Sequence, residues 1–348
     1  MEITDSARNR MFSNKDLVRL IIPLIIEQML TVTVGLADSI MTANVGEEAV
    51  SGVSLVDSVM VLMINLFSAL ATGGAVVAGQ FLGQRKNIMA CKTADQLILF
   101  IVSLSVVIMV RLLAKQNQDV HLSKHIHFHF KGYLIQKILH IGVPNGIENS
   151  MFQLGRIMVL SIVAGFGTSS ITANAIGNVV ASFELIPGIG VGFAVLTVVS
   201  RCIGAGDYEA ARYYTKKLLK VAYAALIALN IIVVMILPLI IQVYHLSPET
   251  AAITRKILLY HTLCCVTIWP PAFTIPNTLR AANDVKYCMV VASATMWIFR
   301  IFCSVVLGKW MGLGVFGVWV AMTLDWVFRG ILFVKRYIQG KWQRMALI

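Results

Sequence analysis

Residues 23–30 read PLIIEQML, and residues 144–151 read PNGIENSM. Each sets a glutamate four residues after a proline inside an apolar stretch, Pro23 with Glu27 and Pro144 with Glu148. A carboxylate in hydrocarbon costs at least a few kcal/mol, so it persists only with a partner or a task. One chain carries the arrangement twice.

The surroundings of these stretches decide the class. The 348 residues are 58% hydrophobic and 13% charged, with mean hydropathy +0.79. Soluble domains carry about 25% charged residues. Runs nearly free of charge extend from Ile21 to Gly46, Val59 to Leu82, Ile157 to Val199 and Val221 to Tyr244. Each reaches the ~20 residues a helix needs to cross a bilayer. The expected fold class is therefore an all-α integral membrane protein. A β-barrel is excluded, because its strands would alternate apolar and polar residues. Nine segments are expected, at 18–44, 51–82, 95–114, 137–165, 172–202, 218–243, 252–279, 286–307 and 312–335. The start, MEITDSARNRMFSNKDLVRL, is polar and basic for too long to be a cleavable leader, so the first span doubles as insertion signal. The six cysteines lie in or beside apolar runs and read as small membrane-buried residues, with no disulfide framework. The net charge of +12 reads as basic cytoplasmic loops and not as a nucleic-acid surface.

Working outward, an offset of 121 residues relates Pro23 to Pro144 and Glu27 to Glu148. The same offset relates Gly46 to Gly167, Gly83 to Gly204 and Ala90 to Ala211. The chain is an internal repeat, the construction used by many secondary transporters. Lys and Arg cluster before the first span, vanish between spans one and two, and return at Arg85, Lys86 and Lys92. The second repeat shows the same alternation, so each obeys the positive-inside rule by itself. Only the segment 95–114 separates two loops that should both be cytoplasmic, where an even number of spans is required. Its apolar run, Leu97 to Val110, is shorter than a span and Arg111 follows directly. The expectation is a re-entrant or interfacial segment, with 115–137 left on the cytoplasmic side.

The stretches IPLIIEQMLTVTVGLADSIMTANVGEEAVSGVS, GQFLGQRKNIMACKTADQLILF, GVPNGIENSMFQLGRIMV, PNTLRAANDVKY and GVFGVWVAMTLDWVFRGILFVKRYIQGKW resemble the multidrug and toxic compound extrusion (MATE) family. The resemblance implies a two-lobe helical bundle that exchanges protons or sodium for bulky organic cations. Family members have two six-helix lobes. Against that plan the chain divides into a truncated N-lobe at 1–114 with helices one to three, a basic inter-lobe loop at 115–136, and a complete six-helix C-lobe at 137–348. The resemblance implies cation coupling at Asp38, which matches the family's first-helix carboxylate, and at Glu148, which matches an acidic position of its seventh helix. Glu27 is a third candidate, although a structural hydrogen bond explains it better. Pro23 and Pro144 bend their helices. Where some members carry a further carboxylate, eleven positions before Arg280, this chain has Trp269.

Other interior charges read as structural. Arg156 and Arg300 need partners, with Glu148 and Asp325 the candidates. Asp325, beside Trp326, reads as an interfacial anchor, and Arg280 and Asp284 read as topology and capping residues. The segment HLSKHIHFHF, with His121, His125, His127 and His129, reads as a basic surface loop, and no metal site is expected. Nothing resembles a P-loop, a nucleophile triad or a zincin motif, so neither an enzyme nor an ATP-driven pump is expected. No cofactor is expected beyond a coupling ion, H+ or Na+. The expected partners are organic-cation drugs and membrane lipids, without nucleic acid, at the cytoplasmic membrane. Two other functions are open: a non-transporting remnant or subunit needing a partner, and a lipid-linked oligosaccharide flippase of the wider superfamily.

Overall fold

The computed structural model describes residues 11–43, 64, 67–113, 132–244 and 246–345. They form helices joined by short turns. In chain order these are α1 (Asn14–Ala43), α2 (Phe67–Gly83), α3 (Asn87–Leu113), α4 (Gly132–Ala164), α5 (Thr168–Gly204) and α6 (Tyr208–Val243). There follow α7 (Pro248–Thr267), α8 (Trp269–Phe273), α9 (Ile275–Ala281), α10 (Val285–Thr295), α11 (Cys303–Val305) and α12 (Gly314–Ile338). π-helical segments at Met296–Phe302 and Val306–Trp310 flank α11. Among the described residues, five helices are long and apolar enough to cross a membrane, or six when the bent α7–α9 segment counts as one span.

The 121-residue offset survives folding. Helices α2 and α5 end at Gly83 and Gly204, and α3 and α6 begin at Asn87 and Tyr208. The two intervening turns carry the same hydrogen bonds in register. Lys86 N–H donates to the Phe81 carbonyl as Asp207 N–H does to Cys202, and Arg85 N–H donates to Leu82 as Gly206 N–H does to Ile203. The six-to-one bond closes a Schellman cap, which needs one left-handed residue. Gly206 supplies it at φ 75°, and Arg85 occupies the same place at φ 58°. The α9–α10 turn repeats the pattern a third time, with Asn283 at φ 68° and Asp284 N–H donating to Leu279.

The repeats also meet one another. A Cβ at Gly204 would fall 1.9 Å from the Gln80 carbonyl oxygen, and one at Gly83 would fall 2.0 Å from the Arg201 carbonyl oxygen. Only glycine at both places lets α2 and α5 cross backbone to backbone. Helix α5 is the central post, touching α1, α4, α6, α7, α8, α9 and α12. Its buried face is nearly continuous, with Val191, Ala194, Val195, Val198, Val199 and Cys202 fully or almost fully enclosed. Helix α1 starts on a reciprocal cap: Ser13 N–H and Oγ donate to Asp16 Oδ2 at 2.9 and 2.8 Å, and Asp16 N–H donates to Ser13 Oγ. Those bonds hold the Asp16 carboxyl below the usual carboxylate range.

Two expectations need correction. The span 252–279 is not one helix, because α7 and α8–α9 meet at a 65° bend. Pro270 and Pro271 in the first turn of α8, and Pro276 in the first turn of α9, withhold the backbone donors that would continue the preceding helix. Of the two alternatives for 95–114, the re-entrant one does not hold over its described part, and a continuous helix is compatible with the interfacial one. Helix α3 runs unbroken through Leu113, with neither glycine nor proline to turn it back. At about 1.5 Å per residue it is roughly 40 Å long. The histidine-bearing segment lies outside the described residues, and Gly46 does too.

Candidate functional site

Asp38 lies on α1, five residues before the helix's last described residue, and its side chain is outside the described set. Glu27, one turn after Pro23, is exposed, and its carboxylate has no hydrogen-bond partner among the described residues. The structural hydrogen bond expected for it is therefore not seen there. The Glu27 carbonyl accepts from Thr31 Oγ1 at 2.9 Å.

Glu148, the equivalent residue of the second repeat, is closed off. Its Oε1 accepts from Arg280 Nη2 at 2.6 Å, and both side chains are largely buried. Arg280 is aimed by Asn277, whose Oδ1 accepts from Nη1 at 3.1 Å on the same helix α9. Glu148 Oε2 and Arg280 Nε are buried without a hydrogen-bond partner among the described residues. Arg280 is thus an interior ion-pair residue and not a loop-edge topology marker, because the α7–α9 bend carries it back to α4. Asp284 is corrected in the same way. It stands at the α10 N-cap without a side-chain cap bond, and accepts instead from Arg336 Nε at 2.7 Å and Nη2 at 3.1 Å.

Asp325 is not an interfacial anchor. It is fully buried, accepts from Arg329 Nη2 at 3.2 Å, and lies 4.0 Å from Arg300 Nη1. The Arg300 pairing agrees with the partner expected from sequence. Arg300 sits in the π segment, over the Phe152 ring of α4 at 5.0 Å, while Arg329 lies over Phe273 at 5.1 Å and also donates to the Ala292 carbonyl. Arg156 is exposed and has no ion-pair partner among the described residues. Trp269, where a carboxylate stands in other members, is buried, stacks on Phe273 at 5.0 Å and fills the space opposite Gly188.

A fourth charged cluster was missed by sequence reasoning, which passed over Glu184 as part of the run from Ile157 to Val199. Glu184 on α5 is 0% exposed and His261 on α7 is 1% exposed. The His261 Nδ1 to Glu184 Oε2 distance is 2.5 Å, and Thr262 Oγ1 donates to Glu184 Oε1 at 2.7 Å. Asn230 on α6 donates to the Leu226 and Glu184 carbonyls. The imidazole is held edge-on between Trp319 and Trp326 of α12, at 5.3 Å from each. Trp319 Nε1 donates to Asn174 Oδ1. The signal was present, a lone glutamate and a lone histidine within apolar runs.

Comparison with known proteins places this geometry. The family model MatE matches residues 23–122 and 144–306, so that each match opens on one of the repeated prolines. The chain is 25% identical over 217 residues to a protein described as probable multidrug resistance protein NorM of Thermotoga maritima, covering 61% of this chain and 46% of that one. It is 27% identical over 221 residues to one described as probable multidrug resistance protein YoeA of Bacillus subtilis, covering 62% and 46%. The chain thus spans about half the length of the curated relatives it matches. Among solved structures, the fold superposes with a TM-score of 0.76 on the outward-facing conformation of a multidrug resistance MATE family transporter of the MOP superfamily. That likeness comes at 13% identity and covers 94% of this chain and 96% of that one. With the duplicated Pro–Glu helices, the helical fold and the two-part match agreeing, the chain belongs to the MATE family.

Proposed function

We propose that this protein is a secondary active multidrug exporter that exchanges H+ or Na+ for organic cations across the cytoplasmic membrane. The observation that carries the reading is the family match to both repeats, each opening at the Pro–Glu helix. Asp38 is the leading coupling residue. Glu148 is second, since Arg280 holds it and an approaching cation must first displace a guanidinium. Taking up a proton or sodium at Asp38 changes the local charge by one unit and biases one conformation over the other. Asp38→Asn keeps the shape and removes the titrating group. It should leave expression intact and abolish gradient-driven efflux, and undiminished coupled efflux overturns the assignment.

A second reading, a remnant or a subunit that needs a partner, is favoured by the chain's spanning half the length of its relatives. Drug resistance no greater than an empty-vector control, restored by co-expressing a full-length relative, supports that reading over the first. The flippase reading is disfavoured, because Arg280, Arg300 and Arg329 each face a carboxylate and are not free to hold a pyrophosphate. The N-terminus and the 115–137 loop lie on the cytoplasmic side in this proposal, on the strength of their basic residues. Labelling of a cysteine at position 13 or 123 by an impermeant reagent outside intact cells overturns that orientation.

A further inference from the structure

We propose that Glu184 and His261 form a proton-binding dyad within the C-lobe, a titrating element additional to the coupling residues named above. The inference rests on the exporter reading and names the residues that would carry its proton.

The first ground is the identity of each carboxylate's partner. Glu148, Asp284 and Asp325 are all paired with arginine. A guanidinium stays protonated throughout the physiological range, so none of those partners gives up a proton near neutrality. Glu184 is the buried carboxylate of the described residues whose partner itself titrates. Imidazole is the side chain whose ordinary range spans pH 5 to 8.

The second ground is charge. With imidazolium against carboxylate the pair is neutral overall. Loss of one proton to water leaves neutral imidazole, with Nδ1–H still donating to Glu184, and a net charge of −1. No electrons move, and one N–H bond is broken. In a site this enclosed the two states differ by a full, poorly screened charge. An organic cation entering the lobe favours the −1 state and so expels the proton, which is antiport in its simplest form. The dyad titrates as a unit, and its midpoint belongs to the pair.

The third ground is position. The dyad bridges the central post α5 to α7, two turns before the 65° bend into α8. Few other ionisable groups compete with it. On α7 the neighbours are Tyr260 and the thiols Cys264 and Cys265, and on α6 the neutral Asn230 reaches it. Helix α12 presents Trp319 and Trp326, with Asp325 and Arg329 paired to each other. Helix α8 carries no ionisable residue, α9 and α4 carry the Arg280–Glu148 pair, and the carboxylates of α1 whose side chains are described, Asp16 and Glu27, are exposed.

The two indoles make the test direct, since a buried imidazolium quenches an adjacent tryptophan. Intrinsic fluorescence of the full chain in lipid nanodiscs is titrated from pH 9 to pH 5. The wild type should show one single-proton transition. His261→Gln should abolish it, and Glu184→Gln should move its midpoint at least one pH unit toward acid, a tenfold loss of proton affinity. Trp319→Phe with Trp326→Phe keeps the dyad and should cut the amplitude without moving the midpoint, which guards against a dyad variant that fails to fold. Tetraphenylphosphonium should shift the wild-type midpoint toward acid. A flat wild-type curve, an unchanged transition in His261→Gln, an unmoved midpoint in Glu184→Gln, or indifference to the cation each overturns the proposal. Fluorescence needs no transport. A chain that titrates as stated but exports nothing overturns the exporter reading and leaves the dyad standing.

Discussion

Removing either half of the Glu148–Arg280 pair should be far more damaging than removing both. The pair bonds at 2.6 Å with 12% and 14% of the side chains exposed, so neither charge is well hydrated once its partner is gone. Stripping one member from a buried pair leaves an uncompensated charge and costs about 3–5 kcal/mol, whereas replacing both with neutral groups is often nearly neutral. For a chain of this size 1 kcal/mol corresponds to about 2 °C in the unfolding midpoint. Glu148→Gln and Arg280→Met alone should each lower the apparent midpoint by about 6–10 °C, and the double variant should recover all but ~2 °C. The assay is thermal unfolding in one detergent, followed by size exclusion or by thiol labelling of the buried Cys288. Beside it, Glu249→Gln, an exposed carboxylate that accepts from Ser169, should move the midpoint by less than 1 °C, as expected of a surface contact. Additive single effects, or singles that cost under ~1 kcal/mol, refute the claim that the two buried charges compensate one another.

Two further outcomes follow from the α2–α5 crossing and its turns. Gly204→Ala forces a methyl into the Gln80 backbone and should destabilise by about 1–3 kcal/mol or more, while Gly146→Ala, whose Cβ finds only ordinary contact at 3.5 Å, should pass unnoticed in the same melt. Arg85→Gly should stabilise the chain by about 1 kcal/mol by relieving a left-handed arginine, and Gly206→Ala should cost about as much; melts equal to the unaltered chain's for both turn variants would sink the account of the repeated cap.

Much of the bundle could be read along the chain, because an apolar run of span length has few other uses. The pairing of the repeats was legible for the same reason that it folds. Pro23 and Pro144, and Gly83 and Gly204, do the same local work in both halves, so the residue types could not drift independently. What escaped was whatever depends on a distant partner. Asp325 beside Trp326 looks like an interface anchor until the π segment brings Arg300 alongside. Glu184 and His261 are 77 residues apart and are joined only by the packing of α7 on α5. The α7–α9 bend was within reach, since Pro270–Pro271 in the middle of a span is a breaker, and the apolar character of the segment outweighed it.

The glycine crossing has a mechanical meaning. Gly83 and Gly204 are the same residue of two copies, so the point where they touch lies on the pseudo-twofold axis that relates the repeats. Two helices in backbone contact have no slack to slide, but they can still tilt about that contact. It sits at the ends of α2 and α5, next to the Arg85–Lys86 turn. A fulcrum at one end of a helix gives the far end a lever arm of ~30 Å wherever that helix crosses a hydrocarbon slab. A tilt of about 10° then barely disturbs the crossing and parts the far ends by about 5 Å.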